Sequence, residues 1–226
     1  MSLFDNSDFV KIWGVIGPQQ NRTKCPEWRA YNLFHKAKTI IESDLPGDFI
    51  EIGVWKGGMS ALLGYMVEKE NNGRKVWSYD SFQGMSDSIP EIDGWDSTSP
   101  HVQLRNFNFE DFEKTCFDMM GLKEDTINIR PGWVADTMPG AANEVDKLGI
   151  LRIDVDWYEP TKVVIETLYP KLISNGYLIC DDYGYWKGAR KAIDDYRKGN
   201  NIEDKIIQTL KNATLKKGTE HWWRKS

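Results

Sequence analysis

Four carboxylates are spaced along this chain so that they can meet. Residues 148–184 read LGILRIDVDWYEPTKVVIETLYPKLISNGYLICDDYG, and two strand-forming runs in this stretch each end in a pair of acids. Leu148–Ile153 runs into Asp154 and Asp156, and Gly176–Cys180 runs into Asp181 and Asp182. Thr161–Leu172 lies between the runs and has room for about three helical turns. A strand, a helix and a strand of this length form a βαβ unit with parallel strands. Both carboxyl ends then fall on one edge of the sheet, the edge where open α/β sheets bind ligands. Acids brought together there repel one another and hold their protons more tightly. A hard divalent cation such as Mg²⁺ resolves the conflict, since it takes carboxylate and water oxygens and keeps positions open for substrate. Helix capping is the competing use: Asp156 or Glu159 for the next helix, Asp181 or Asp182 for a turn. Capping accounts for one acid at each strand end but not for two at both, so a metal or catalytic site is the stronger reading.

The elements that must position these acids begin upstream. Pro26–Ser43 has helical apolar spacing through Trp28, Leu33, Ala37, Ile40 and Ile41. Arg29 and Asn32 sit one turn apart on that helix, where solvated surface is the default reading. Asp48–Ile52 is a strand, Glu51–Gly58 a glycine-bearing turn and Ser60–Glu70 a helix. Glycine lets a backbone approach a ligand closely, and a helix N-terminus favours an anionic group. The turn is neither GxGxxG nor a P-loop; acid-x-Gly ending a first strand is the pattern of nucleoside methyl-donor sites. Lys75–Tyr79 is a second strand ending in Asp80, the position where a Rossmann-like fold hydrogen-bonds ribose hydroxyls. Gln83–Pro100 reads as a long loop on the ligand edge, with substrate binding its expected use. A helix near Phe109–Gly121, a strand over Thr126–Arg130 and a turn from Pro131 toward Pro139 follow. Trp186–Arg197 is a helix whose Arg190, Lys191, Asp194 and Asp195 read as a solvated face. Lys205–Leu215 and His221–Arg224 read as two final strands closing the sheet edge. Residues 1–28 read as an arm or lid with one short helix near Phe9–Val15, and residues 29–226 as the single main domain.

Bulk properties exclude several classes. At 226 residues the chain holds one domain with a substantial core. A net charge of −5 and the lack of any basic run argue against nonspecific nucleic-acid binding. No apolar run reaches the roughly 18 residues of a membrane span. Cys25, Cys116 and Cys180 form no CxxC pair, and the start of the chain does not read as a signal peptide, so reduced thiols and a cytoplasmic setting are expected. The ten tryptophans serve either a core or a pocket for a planar or sugar-like ligand.

The blocks GDFIEIGVWKGG, YDSFQGM, RPGWVADTMP, LRIDVDWYEPT, LYPKLISNGYLICDDYG and HWWRK together resemble the macrocin O-methyltransferase family, over about Arg29–Lys225. The paired DxD and DDYG blocks are its most specific part. The resemblance implies a class I methyltransferase fold, α/β and Rossmann-like, with a seven-stranded, mostly parallel sheet and helices on both faces. It also implies S-adenosylmethionine as methyl donor, Mg²⁺ as metal, and a sugar or glycosylated small molecule as acceptor. By motif position Asp154, Asp181 and Asp182 would be metal ligands and Asp156 the general base. Glu51, Gly53, Trp55, Ser60, Asp80, Ser81 and Trp133 would surround the donor. The chain departs from the family pattern at Ile52, Val155 and Trp157. The resemblance and the aromatic-rich arm suggest a homo-oligomer. Three rival readings stay open: a catechol-like diol as acceptor, a non-catalytic nucleotide-type binding module, and a metal-dependent glycosyltransferase using the DxD acids.

Overall fold

The central strands are short apolar runs, and side-chain alternation along them decides which face each residue serves. A computed structural model of the protein describes residues 2–94, 107–209 and 220–226. Strands β1 (Asp48–Ile52), β2 (Val76–Asp80), β3 (Ile127–Pro131), β4 (Leu148–Ile153) and β5 (Leu172–Cys180) are parallel neighbours. With β6 (Ile207–Gln208) and β7 (His221–Arg224) they form a seven-stranded sheet of order β3-β2-β1-β4-β5-β7-β6. β7 is antiparallel to both of its neighbours. This is the expected α/β architecture; positions 95–100 of the expected loop Gln83–Pro100 and 210–215 of the expected strand Lys205–Leu215 lie outside the described residues.

Helices cover both faces. Phe49, Ile150, Tyr177 and Ile179 face a core shared with α1 (Asn6–Ile16), α2 (Glu27–Glu42) and α3 (Gly58–Glu70). Ile50, Ile52, Leu151, Ile153, Leu178 and Cys180 face the other core, under α6 (Val134–Glu144), α7 (Tyr158–Leu168) and α8 (Lys187–Gly199). Each fully buried Ile or Leu in these rows contributes about 1.5–3 kcal/mol. The period of two also puts Glu51 and Arg152 in the row of Phe49 and Ile150. They are register partners on adjacent strands, and both are buried. Two charges therefore replace core residues, and each must find its partner inside.

Residues 1–28 contribute to the first core. Asp5 and Asp8 form a capping box for α1, and Phe4, Phe9, Ile12 and Ile16 are buried against α2 and α3. Gly132–Glu144 differs from the sequence reading: the stretch toward Pro139 is the helix α6, with Pro139 inside it. Met138 and Ala141 bury its apolar side in the second core, which outweighs the lost proline hydrogen bond. Between β2 and β3 run the short α4 (Pro90–Asp93) and α5 (Phe109–Glu113), the latter continued as a π-helical turn to Met119. Among the described residues no helix is long and apolar enough to cross a membrane. The three cysteines are unpaired and buried.

Candidate active site

A cavity of about 600 Å³ opens at the carboxyl ends of β1, β2, β4 and β5, within the range of small-molecule sites. Glu51, Gly53, Trp55, Asp80, Ser81, Trp133, Asp154, Asp156, Asp181 and Asp182 all line it. Ser60 does not: its hydroxyl donates to Glu51 and accepts from Ser78 Oγ at 2.9 Å, so it holds Glu51 in place.

One half is built by the turn after β1. Gly53 has φ +87°, and a Cβ there would lie 1.9 Å from the Asp154 carbonyl oxygen. The glycine is thus required by the close approach of two strand-end turns, whatever the ligand. Asp80 fixes the turn. Its Oδ2 accepts the amides of Val54 (2.8 Å) and Trp55 (2.9 Å), and its Oδ1 accepts Phe82 N–H at 2.8 Å. Burial raises the Asp80 pKa, against these amide bonds. Ser81 Oγ donates to the Gly84 carbonyl, and Trp133 starts α6 at the opposite wall.

The other half is acidic, with Arg152 behind it. This fully buried guanidinium donates from Nη1 to Glu51 Oε1 (2.7 Å) and Asp154 Oδ2 (2.8 Å). Its Nη2 donates to Asp181 Oδ1 at 2.8 Å and to Cys25 Sγ at 3.1 Å. Arg29, from α2, pairs with the second oxygen of Asp181. Ligand atoms of Cys25, Asp154 and Asp181 all lie within 4.8 Å of one another. Asp182 stands next to Asp156 and accepts its amide at 3.1 Å. Burial, then the charge of Asp154, pushes Asp156 up to about 7. Burial and the charges of Asp156, Asp154 and Asp181 hold Asp182 well above the carboxylate range. Carboxylates exceed arginines here, and acids crowded enough to raise one another's pKa favour positive charge; the close cluster itself takes in the Cys25 thiol and not Asp182.

A third wall comes from the loop after β2. Met85, Ser86 and Asp87 line the cavity, and Trp157 Nε1 pins the loop by donating to the Ser86 carbonyl at 3.0 Å. The buried Asp93 accepts Ile89 N–H (2.7 Å) and Tyr158 N–H (2.8 Å) and so caps α7 from outside. Neither Asp156 nor Glu159 caps that helix, which removes the capping explanation for the DxD acids. Thr23, Lys24 and Cys25, from the stretch before α2, also line the cavity.

Arg152 and Asp93 carried no site reading in the sequence, and Arg29 and Asn32 read there as solvated surface. Arg29 and Asn32 are not solvated surface: Arg29 holds Asp181, and Asn32 bonds Thr209 and the buried Glu220. An arginine in an otherwise apolar strand, in the same row as Ile150, was the available signal for Arg152.

The family model described as macrocin-O-methyltransferase (TylF) matches residues 9–225. The chain belongs to the macrocin O-methyltransferase family. It is 33% identical over 222 residues to 8-demethyl-8-(2,3-dimethoxy-alpha-L-rhamnosyl)-tetracenomycin-C 4'-O-methyltransferase of Streptomyces olivaceus, spanning 95% of this chain and 79% of that protein. Demethyldecarbamoylnovobiocin O-methyltransferase of Streptomyces niveus is also 33% identical, with 95% and 80% covered. The solved structure of the O-methyltransferase NovP superposes with a TM-score of 0.80 at 28% identity, covering 91% of this chain and 82% of that one. The family members matched are O-methyltransferases, and the fold is that of class I methyltransferases.

Proposed function

We propose that the protein transfers the methyl group of S-adenosylmethionine to a hydroxyl of a sugar or glycosylated small molecule, with Mg²⁺ at the acidic edge. The observation that carries this reading is a single cavity where the Asp80-braced glycine turn faces the carboxylates ending β4 and β5. The two Streptomyces relatives act, by name, on a glycosylated tetracenomycin and a novobiocin precursor, which supports the acceptor class. When bound, the donor supplies a sulfonium-activated methyl carbon, and the metal supplies a Lewis acid that orients and acidifies acceptor hydroxyls.

The chain's own residues divide the remaining work. Asp80, which lines the cavity, accepts a ribose hydroxyl. Trp133 and Trp55 give the cavity apolar walls for the base and the methionine chain. Asp154, Asp181 and Asp182 hold the metal. Asp156 takes the proton of the attacking hydroxyl. The wall of Ser86, Asp87 and Val155 orients the acceptor. Isotope-labelled donor incubated with sugar nucleotides, glycosides and catechols tests the assignment. Transfer to a glycoside supports it, and transfer only to catechols moves the acceptor to aromatic diols.

A further inference from the structure

We infer that Arg152 is the positioning residue of the acidic site: one buried guanidinium sets the separation and orientation of Asp154 and Asp181 and ties both to Glu51 on the donor side. The inference rests on the proposed metal role of those two acids.

Three observations carry it. First, each terminal nitrogen of Arg152 serves a different metal-side acid. Nη1 takes Asp154 at 2.8 Å and Nη2 takes Asp181 at 2.8 Å. A planar fork has a fixed spacing, so the two carboxylates, on the ends of separate strands, are set relative to each other by one rigid group. Second, the fork is braced from behind. Nη1 also holds Glu51 at 2.7 Å, Glu51 is held by Ser60, and Ser60 by Ser78. The relay Ser78–Ser60–Glu51–Arg152 thus runs from β2 through α3 and β1 to both acids. Third, the fold tolerates a cost to keep it. Arg152 Nε is buried with no hydrogen-bond partner, although such donors are rarely left unpaired. An apolar residue at this strand position would remove that orphan, so packing does not call for an arginine.

Arg152 does not line the cavity, so it acts through the acids and not on substrate. Its charge is shared among Glu51, Asp154 and Asp181. Neutralising Glu51 concentrates that charge on the other two and makes them poorer cation ligands.

The test measures Mn²⁺ binding by electron paramagnetic resonance in wild type, Arg152→Lys, Glu51→Gln and Glu220→Gln, with binding of S-adenosylhomocysteine as the report that the donor half is folded. Lysine keeps the charge but not the fork. Arg152→Lys is expected to bind S-adenosylhomocysteine while losing about tenfold or more in Mn²⁺ affinity, as for other partners of metal ligands. Should Arg152→Lys fail to fold, Glu51→Gln decides: it weakens Mn²⁺ more than Glu220→Gln, which removes a buried acid near Asp181 whose bonds run to Asn32 and Thr209. Wild-type Mn²⁺ affinity in folded Arg152→Lys overturns the inference, as does an equal effect of the two glutamine variants. Absence of Mn²⁺ binding in wild type overturns the metal reading itself, and the inference with it.

Discussion

Replacing Asp80 by Asn separates its two roles, bracing the β1 turn and binding donor. The carboxylate offers about four lone-pair sites. Three amides, those of Val54, Trp55 and Phe82, occupy it at 2.8–2.9 Å. Asparagine keeps one oxygen for the Val54 and Trp55 amides and turns its NH₂ toward the Phe82 N–H. That leaves one donor unpaired, at about 1–3 kcal/mol. A ribose hydroxyl loses a charge-assisted bond of about 1.5–3 kcal/mol, which is a roughly 10- to 100-fold weaker Kd. Isothermal titration with S-adenosylhomocysteine reads the second effect, and urea unfolding reads the first. A destabilised Asp80→Asn variant with wild-type Kd would show that Asp80 only braces the turn, and the donor assignment would fall.

Other outcomes follow from the same geometry. Gly53→Ala destabilises more than Gly73→Ala. Both glycines have positive φ, at roughly 1–2 kcal/mol for an L-residue, but only at Gly53 does the new Cβ meet backbone, at 1.9 Å; equal urea midpoints would contradict this. Asp93→Ala strands the amides of Ile89 and Tyr158 and costs about 2 kcal/mol or more in urea unfolding. It also raises KM for acceptor while S-adenosylhomocysteine affinity holds. For pH, burial raises Glu51 and Glu220 from 4.5 to about 7. The folded protein then holds protons that the unfolded chain has released, so their contribution is full below about pH 4.5 and is lost as pH rises toward 7. Lys36, depressed to about 8 from 10.5, acts above that window. Thermal midpoints of metal-free protein therefore fall between about pH 5.5 and pH 7.5, and Glu220→Gln flattens the fall.

The strands were legible because β1, β4 and the second half of β5 are dominated by aliphatic residues and end in turn residues, and the acids stand where those runs stop. The face of α2 was legible from Leu33, Ala37 and Ile40, spaced three and four apart and all buried. Helix α6 was not, because Pro131-Gly132 and Pro139-Gly140 carry strong turn signals, and only tertiary burial of Met138 and Ala141 overrides them. The charge balance of the site was hidden for a different reason. Converging acids at 154 and 181 imply a cation, but the sequence does not say that Arg152 and Arg29 supply part of it from a neighbouring strand position and a helix far upstream. Asp93 was hidden likewise, since its partner amide on Tyr158 is 65 residues away in sequence.

The proposed reaction runs through Asp156 beside a metal-dependent acidic edge. Its most direct test is labelled methyl transfer from S-adenosylmethionine to a glycoside panel, for wild type and Asp156→Asn, with Mg²⁺ and with EDTA. The expected result is transfer by wild type with Mg²⁺, loss on chelation, and a drop of about 100-fold or more in Asp156→Asn with S-adenosylhomocysteine affinity unchanged. Undiminished transfer by Asp156→Asn, or in EDTA, would contradict it.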